Sequence, residues 1–279
     1  MWLLLLPMIC AAGSAKTAYS MPRTQVIPVQ DSVSDKQYEL YIKLPEGYAA
    51  DKNVSHPVIY FTDAVWQIEM LSSASEFIME DAILVGISWQ KDLDKTTIND
   101  IGEHASRFSD YTIKASSDPE RQAKYRFGQA DQHLRFIRND VMKYVDKNFR
   151  TDPVNRSYFG YSLGGLFGAY VLAAKPDTFN NYIIGSPTLQ NSNPLLEALM
   201  AGTDSIVHKP VNVYVSFGTL EQDRRAPIDN FTDMMKAKHG EVILIKTDEV
   251  EGNHQTAAPL TAVRSVSWLS HLTAKGEQP

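Results

Sequence analysis

The sequence predicts an α/β fold: a mostly parallel central sheet with helices on both faces. Three observations carry that expectation. Residues 57–61 (PVIYF) and 82–87 (AILVGI) are continuous apolar runs, as in strands buried on both faces, without the alternation of a half-exposed sheet. Further strand candidates alternate with helical stretches along the chain, which is how a parallel sheet is connected. No repeat, low-complexity tract or Pro/Ser-rich linker divides the 279 residues, a length that suits one large domain and builds a full core without staples.

Taken in order, residues 38–44 (YELYIKL) alternate and read as a strand, closed by the turn chemistry of Pro45-Glu46-Gly47. The two apolar strands follow. Residues 89–132 are polar, contain Ser116-Ser117-Asp118-Pro119, and read as an insertion or lid on a single domain. Residues 136–149 read as a helix with Ile137, Val141, Tyr144 and Val145 on one stripe. A short strand at 156–160 leads into an apolar helix at 163–175 that Pro176 ends. Strands at 181–184, 211–216 and 241–246 complete the expected sheet, with helices near 228–238 and 262–272.

Composition removes several function classes. A net charge of −6 argues against broad nucleic-acid binding, which needs a basic face. The single cysteine, Cys10, permits neither an intramolecular disulfide nor a thiolate cluster. His56, His104, His133, His208 and His239 lack ligand spacing, so no metal is expected; there is no P-loop or dinucleotide fingerprint either, and no cofactor is expected. Residues 2–12 (WLLLLPMICAA) are almost wholly apolar but far short of the roughly 20 residues of a membrane-spanning helix. With the small residues up to Ala15 they match a secretory signal, although no Lys or Arg precedes the apolar run. The expectation is a signal over 1–15, a mature domain over 16–279 in the periplasm or outside the cell, and no membrane span. Nothing in the sequence specifies an oligomeric state.

The chemistry concentrates in Gly160-Tyr161-Ser162-Leu163-Gly164-Gly165, which contains G-x-S-x-G. A serine on a tight strand-to-helix turn sits in strained backbone, small neighbours let the chain turn, and the next helix offers free N–H groups to an oxyanion. A glycine-rich turn that only lets strand and helix pack closely is the competing reading. The expected strand before Ser162 and apolar helix after it favour the nucleophile, because that context is what the motif requires in an α/β-hydrolase fold.

A serine at its ordinary pKa needs a base, and in this fold the partners follow in the order Ser, Asp/Glu, His. His254, in Gly252-Asn253-His254-Gln255, lies in a polar loop after the last expected strand, whereas His271 lies in the last helix. The orienting acid should follow the strand at 211–216, where Glu221 is favoured and Asp223 is the second candidate. For the oxyanion hole, the backbone N–H of Leu163 would act with that of Ala64 or Val65, in the turn after 57–61. Asp63 reads as fixing that loop, and Trp66 as either a pocket wall or core packing.

With these residues assembled, the chain resembles the α/β-hydrolase esterases that include siderophore esterases of the enterobactin and salmochelin type, over roughly 26–272. The resemblance rests on residues 57–63 (PVIYFTD), 107–112 (RFSDYT), Gly128-Gln129-Ala130, 160–167 (GYSLGGLF), Ile184-Gly185-Ser186-Pro187, Gly218 with Glu221, and His254. It implies serine-dependent hydrolysis of a small-molecule ester. The chain departs from the pattern at Ala64, where the family often has glycine, and at Thr188-Leu189, where it often has bulky aromatics. An anionic substrate would need cations near the pocket, for which Arg107, Arg126 and Arg224 are available. Two rival readings keep the fold: an acyltransferase that passes the acyl group to an alcohol, and a non-catalytic secreted binding protein.

Overall fold

The computed structural model describes residues 18–202 and 210–276. The expected signal at 1–15 and His208 lie outside the described residues. In chain order the elements begin β1 (Thr24–Gln30), β2 (Gln37–Lys43), β3 (His56–Phe61), α1 (Ala64–Ile78) and β4 (Ile83–Ile87). Short helices α2 (Lys95–Ile101), α3 (Ser106–Asp110) and α4 (Pro119–Tyr125) precede α5 (Ala130–Phe136), which runs through a π turn into α6 (Met142–Asn148). Then come β5 (Thr151–Tyr161), α7 (Leu163–Ala174), β6 (Asn181–Gly185), α8 (Asn193–Ala201), β7 (Val211–Gly218), α9 (Arg225–His239), β8 (Ile243–Val250) and α10 (Ala257–Gly276).

The strands form one eight-stranded sheet in the order β1-β2-β4-β3-β5-β6-β7-β8. From β4 onward the pairings are parallel; β1 and β2 are added antiparallel at one edge. Side-chain alternation along the central strands builds a core on each face. Ile59 and Phe61 of β3 pack with Ile68 and Leu71 of α1 and Ala262 and Val266 of α10. Val58 and Tyr60 point the other way, into the layer formed by α5 to α9, with Phe136, Phe167, Leu196 and Phe231. All six residues of β3 and all five of β4 are buried, as their unbroken apolar runs require.

The differences from the sequence expectations have local causes. β1 is an edge strand that exposes Val26 and carries Pro28; proline is tolerated where its missing N–H faces no partner. Helix α1 fills 67–78, to which the sequence reading assigns no element, because its buried stripe includes Ser72 and Ser75 beside Ile68 and Leu71 and so looks polar. The helix expected at 136–149 begins six residues earlier, at Ala130. β5 starts at Thr151, where it pairs with His56 across an irregularity, and β8 runs on to Val250.

Within 89–132, the first part is tied into the body of the protein. Asp110, 1% exposed, accepts hydrogen bonds from Tyr38 (3.1 Å), Gln90 (2.8 Å), Ser109 (3.0 Å) and Lys36 (3.2 Å). Such a fully partnered buried carboxylate welds α3 to β2. By contrast, α4 buries none of its residues.

Candidate active site

Parallel strands β3, β5, β6 and β7 deliver their C-terminal ends to one edge of the sheet, where ligands of open α/β folds bind. The glycines around Ser162 are there for space. A Cβ on Gly160 would lie 2.3 Å from the Gly164 carbonyl oxygen, and one on Gly164 would lie 2.6 Å from Thr62 Oγ1. The elbow is therefore pressed against the end of β3, and Tyr158 OH fastens the two by donating to the Gly164 carbonyl (2.8 Å) while lying 3.1 Å from Thr62 Oγ1. Ser162 itself has φ 59° and ψ −113°, a backbone region that a serine adopts only when its surroundings hold it there. Its N–H is anchored on the Gly185 carbonyl of β6 (2.8 Å).

Ser162 Oγ lies 2.9 Å from His254 Nε2, and His254 Nδ1 lies 2.7 Å from Glu221 Oε1. With an ionised carboxylate accepting at Nδ1, the proton sits on Nδ1, and Nε2 is the acceptor for the serine hydroxyl. His254 occupies the turn between β8 and α10, where Tyr161 OH donates to its carbonyl (2.8 Å) and the rings pack 5.3 Å apart. Glu221 follows β7 and is 6% exposed. The structure brings Ser162, Glu221 and His254 into one hydrogen-bonded chain; Asp223 sits in the 3₁₀ turn beyond Glu221 and has no part in it.

Two further residues complete this cluster: Ser186, which had no assigned role in the sequence reading, and Arg224, which was offered there only as a cation for an anionic substrate. Ser186, fully buried and with φ 39°, donates its hydroxyl to Glu221 Oε2 (2.6 Å) and lies 3.2 Å from His254 Nδ1. Arg224 Nε pairs with Glu221 Oε1 at 2.6 Å, and its Nη1 donates to the carbonyls of Ser186 and Pro187. Gly218 N–H also donates to Oε2 (2.9 Å). Burial works to raise the Glu221 carboxyl, but the hydrogen bonds from Ser186, Gly218 and His254 and the charge of Arg224 outweigh it, holding it below its ordinary value. The signal for Ser186 was its place in the Gly185-Ser186-Pro187 run; for Arg224 it was the (i, i+3) spacing from Glu221 on a tight turn.

The oxyanion candidates sit at two helix N-termini. Leu163 is the first residue of α7, and Ala64 and Val65 open α1. First-turn N–H groups have no partner within their own helix, and no acceptor is recorded for these three among the described residues. Asp63, the residue before α1, has φ 57° and is 1% exposed. Its carboxylate takes a two-pronged ion pair from Arg107 Nε (2.8 Å) and Nη2 (3.1 Å), and the Trp89 indole N–H (2.8 Å). Arg107, available in the sequence reading as a cation for an anionic substrate, is engaged within the protein: two of its nitrogens pair with Asp63, and 15% of its side chain is exposed. Arg224 is likewise occupied, and Arg126 terminates α4 on the exposed surface.

Trp66 is 46% exposed, so it is not core packing. It packs edge-on against Trp89 (4.7 Å) and beneath the Arg107 guanidinium (4.9 Å). On the other side of the elbow, a cavity of about 290 Å³ runs between Thr112, Ser116 and Phe127 and the helix-side residues Leu163, Leu166 and Thr188. Thr188 N–H donates to the Ser162 carbonyl, which places this cavity beside the nucleophile. Among the described residues, no group of His, Cys, Asp and Glu is arranged to hold a metal ion, and no helix is long and apolar enough to cross a membrane.

The family model described as Esterase matches residues 32–258. The ferri-bacillibactin esterase BesA of Bacillus subtilis (strain 168) is 26% identical over 237 residues, covering 78% of this chain and 78% of that protein. The siderophore triacetylfusarinine C esterase of Aspergillus fumigatus is 30% identical over 125 residues, 43% of each chain. The crystal structure of the BES protein from Bacillus cereus superposes with a TM-score of 0.75 at 21% identity, over 92% of this chain and 98% of that one. At that identity the likeness carries the fold.

Proposed function

The chain belongs to the esterase family, and we propose that this serine ester hydrolase works through Ser162, His254 and Glu221 on a siderophore-type ester. The observation that carries the mechanism is the unbroken chain Ser162 Oγ, His254, Glu221 at 2.9 and 2.7 Å. His254 Nε2 takes the hydroxyl proton as Oγ attacks the ester carbonyl. The charge that develops on the carbonyl oxygen is met by the N–H of Leu163 and that of Ala64 or Val65. Imidazolium then protonates the leaving alkoxide, and the acyl group stays on Ser162. A water gives its proton to His254 as it attacks the acyl carbon; the imidazolium then returns a proton to Ser162 Oγ as the acyl–oxygen bond breaks, which releases the acid and the free serine.

Glu221 holds the Nδ1–H tautomer and stabilises the imidazolium. The substrate class is supported by the two relatives, whose names specify esterases of ferri-bacillibactin and of triacetylfusarinine C. The cavity beside Leu163, with threonine at 188, has room for a substantial acyl or alcohol group. Ser162→Ala should lower kcat on a short-chain aryl ester by about 10⁴-fold or more; retained hydrolysis refutes the mechanism. Hydrolysis of ferric and iron-free catecholate lactones, compared with feruloyl and sugar acetyl esters, tests the substrate. If the lactones are untouched while the others turn over, the substrate class is wrong and the chemistry stands.

We place the mature protein in the periplasm or outside the cell, with residues 1–15 as its export signal. The support is the apolar run 2–12 followed by small residues. N-terminal sequencing of the protein from its own host should begin at Lys16; a retained Met1 in a cytosolic fraction refutes this.

A further inference from the structure

An aspartate just before a helix ordinarily turns its carboxylate onto the first free N–H groups. Asp63 holds that position at the start of α1, yet no side-chain cap is formed. Its Oδ1 instead accepts from Trp89 Nε1 (2.8 Å) and Arg107 Nε (2.8 Å), and its Oδ2 from Arg107 Nη2 (3.1 Å). The Arg107 guanidinium is in turn held against the Trp66 ring, and Tyr111 OH receives the Asp63 N–H at 3.4 Å. The elbow is close by: a Cβ on Gly164 would be 3.3 Å from Asp63 Oδ2. A carboxylate free to swing onto the N–H of Ala64 or Val65 would fill the donors that the tetrahedral oxygen needs, and would set a negative charge beside the one that develops there.

From this arrangement we infer that Arg107, assisted by Trp89, is a positioning residue that draws the Asp63 carboxylate away from the α1 N-terminus and so keeps the second oxyanion donor empty. This rests on the hydrolytic reading of Ser162 and on the α1 donors named with it. The part of the 89–132 segment that carries Trp89 and Arg107 thereby becomes a component of the transition-state site, acting through Asp63 without touching the ester. A bidentate guanidinium is needed because one fork must occupy both carboxylate oxygens at once.

The test is a set of purified variants, Arg107→Met, Trp89→Phe, Asp63→Ala and the double variant Asp63→Ala/Arg107→Met, assayed on an aryl ester; alanine is chosen because an asparagine oxygen would cap the helix as aspartate does. Circular dichroism and thermal unfolding report folding. Arg107→Met should lose roughly ten- to a hundredfold in kcat with little change in KM, since one oxyanion donor contributes about 10² to 10³. Affinity for a boronic acid that mimics the tetrahedral intermediate should fall by the same factor. Trp89→Phe removes one hydrogen bond and leaves the ion pair, so a loss of a few-fold in kcat is expected. The deciding comparison is the double variant. With no carboxylate left to block the donors, it should be at least severalfold faster than Arg107→Met.

If Arg107→Met is as active as the parent, or if the double variant is no faster than the single one while all are folded, Arg107 is a structural ion-pair partner only and the inference is wrong. If Arg107→Met fails to fold, the comparison between Trp89→Phe and the folded double variant decides: equal kcat to the parent in both overturns it. A parent enzyme that hydrolyses no ester overturns instead the reading on which the inference stands.

Discussion

At Glu221 four donors converge on two oxygens: His254 and Arg224 on Oε1, Ser186 and Gly218 N–H on Oε2. An acid so completely occupied cannot rotate, and its orientation is passed directly to the imidazole. The sequence reading kept Asp223 beside it as a candidate because both follow the same glycine turn. What separates them is the backbone: Glu221 accepts the tight turn after β7 and points inward, while Asp223 falls on the first exposed turn beyond it. Glu221→Gln is expected to lower kcat by about 10³- to 10⁴-fold, as loss of the orienting acid does in serine triads. Asp223→Asn should leave kcat within about twofold, in line with an exposed substitution. Parallel kinetics on the two variants check this, and reversed effects would move the role to Asp223. Ser162, Glu221 and His254 were legible because spacing and chain order constrain them. Ser186 and the Asp63–Arg107 pairing were not, since nothing in a linear string reports that residue 186 reaches residue 221 or that residue 107 reaches residue 63.

Among the elements, α5 is fixed by a histidine that the sequence reading weighed only as a metal ligand. His133 is 2% exposed and ringed by Tyr38, Tyr111, Phe136 and Phe167 at centroid distances of 5.2 to 5.7 Å. Neither ring nitrogen has a hydrogen-bond partner among the described residues. Burial lowers its pKa from 6.5 to about 4, against the opposing pull of Asp110. The imidazole is thus neutral at pH 7, and its 4.0 Å approach to Asp110 is no ion pair. Between those two values the unfolded chain binds the proton and the folded chain does not, so stability falls as pH drops from 6.5 towards 4. The contribution is about 3 kcal/mol. Urea unfolding of the parent and His133→Phe at pH 7 and 4.5 should show a smaller acid loss in the variant; equal losses would contradict the assignment. Elements with strong apolar patterns, β3, β4, α7 and β6, were readable to within a residue or two. α1 and β1 were hidden by serines at packing positions and by exposure at the sheet edge.

For the molecule as a whole, alternation of strands and helices specified the class of fold, but not the order β1-β2-β4-β3-β5-β6-β7-β8. That order comes from pairings between segments distant in sequence, and it is what brings the ends of β3, β5 and β7 to the same edge. The reading of 89–132 as one insertion also missed a division that only the folded state reveals. Residues up to Tyr111 are pinned by Asp110 and by the Arg107–Asp63 pair, whereas α4 buries none of its residues. The same pinning has an electrical consequence. Two carboxylates beside the elbow and its base each have their own arginine, Asp63 with Arg107 and Glu221 with Arg224. A chain of net charge −6 therefore presents a reaction centre that is locally neutral before substrate arrives. Charge on the remote surface is screened by physiological salt over a Debye length of about 8 Å, and with these two carboxylates paired, the negative charge of the tetrahedral oxygen develops beside groups that are already compensated.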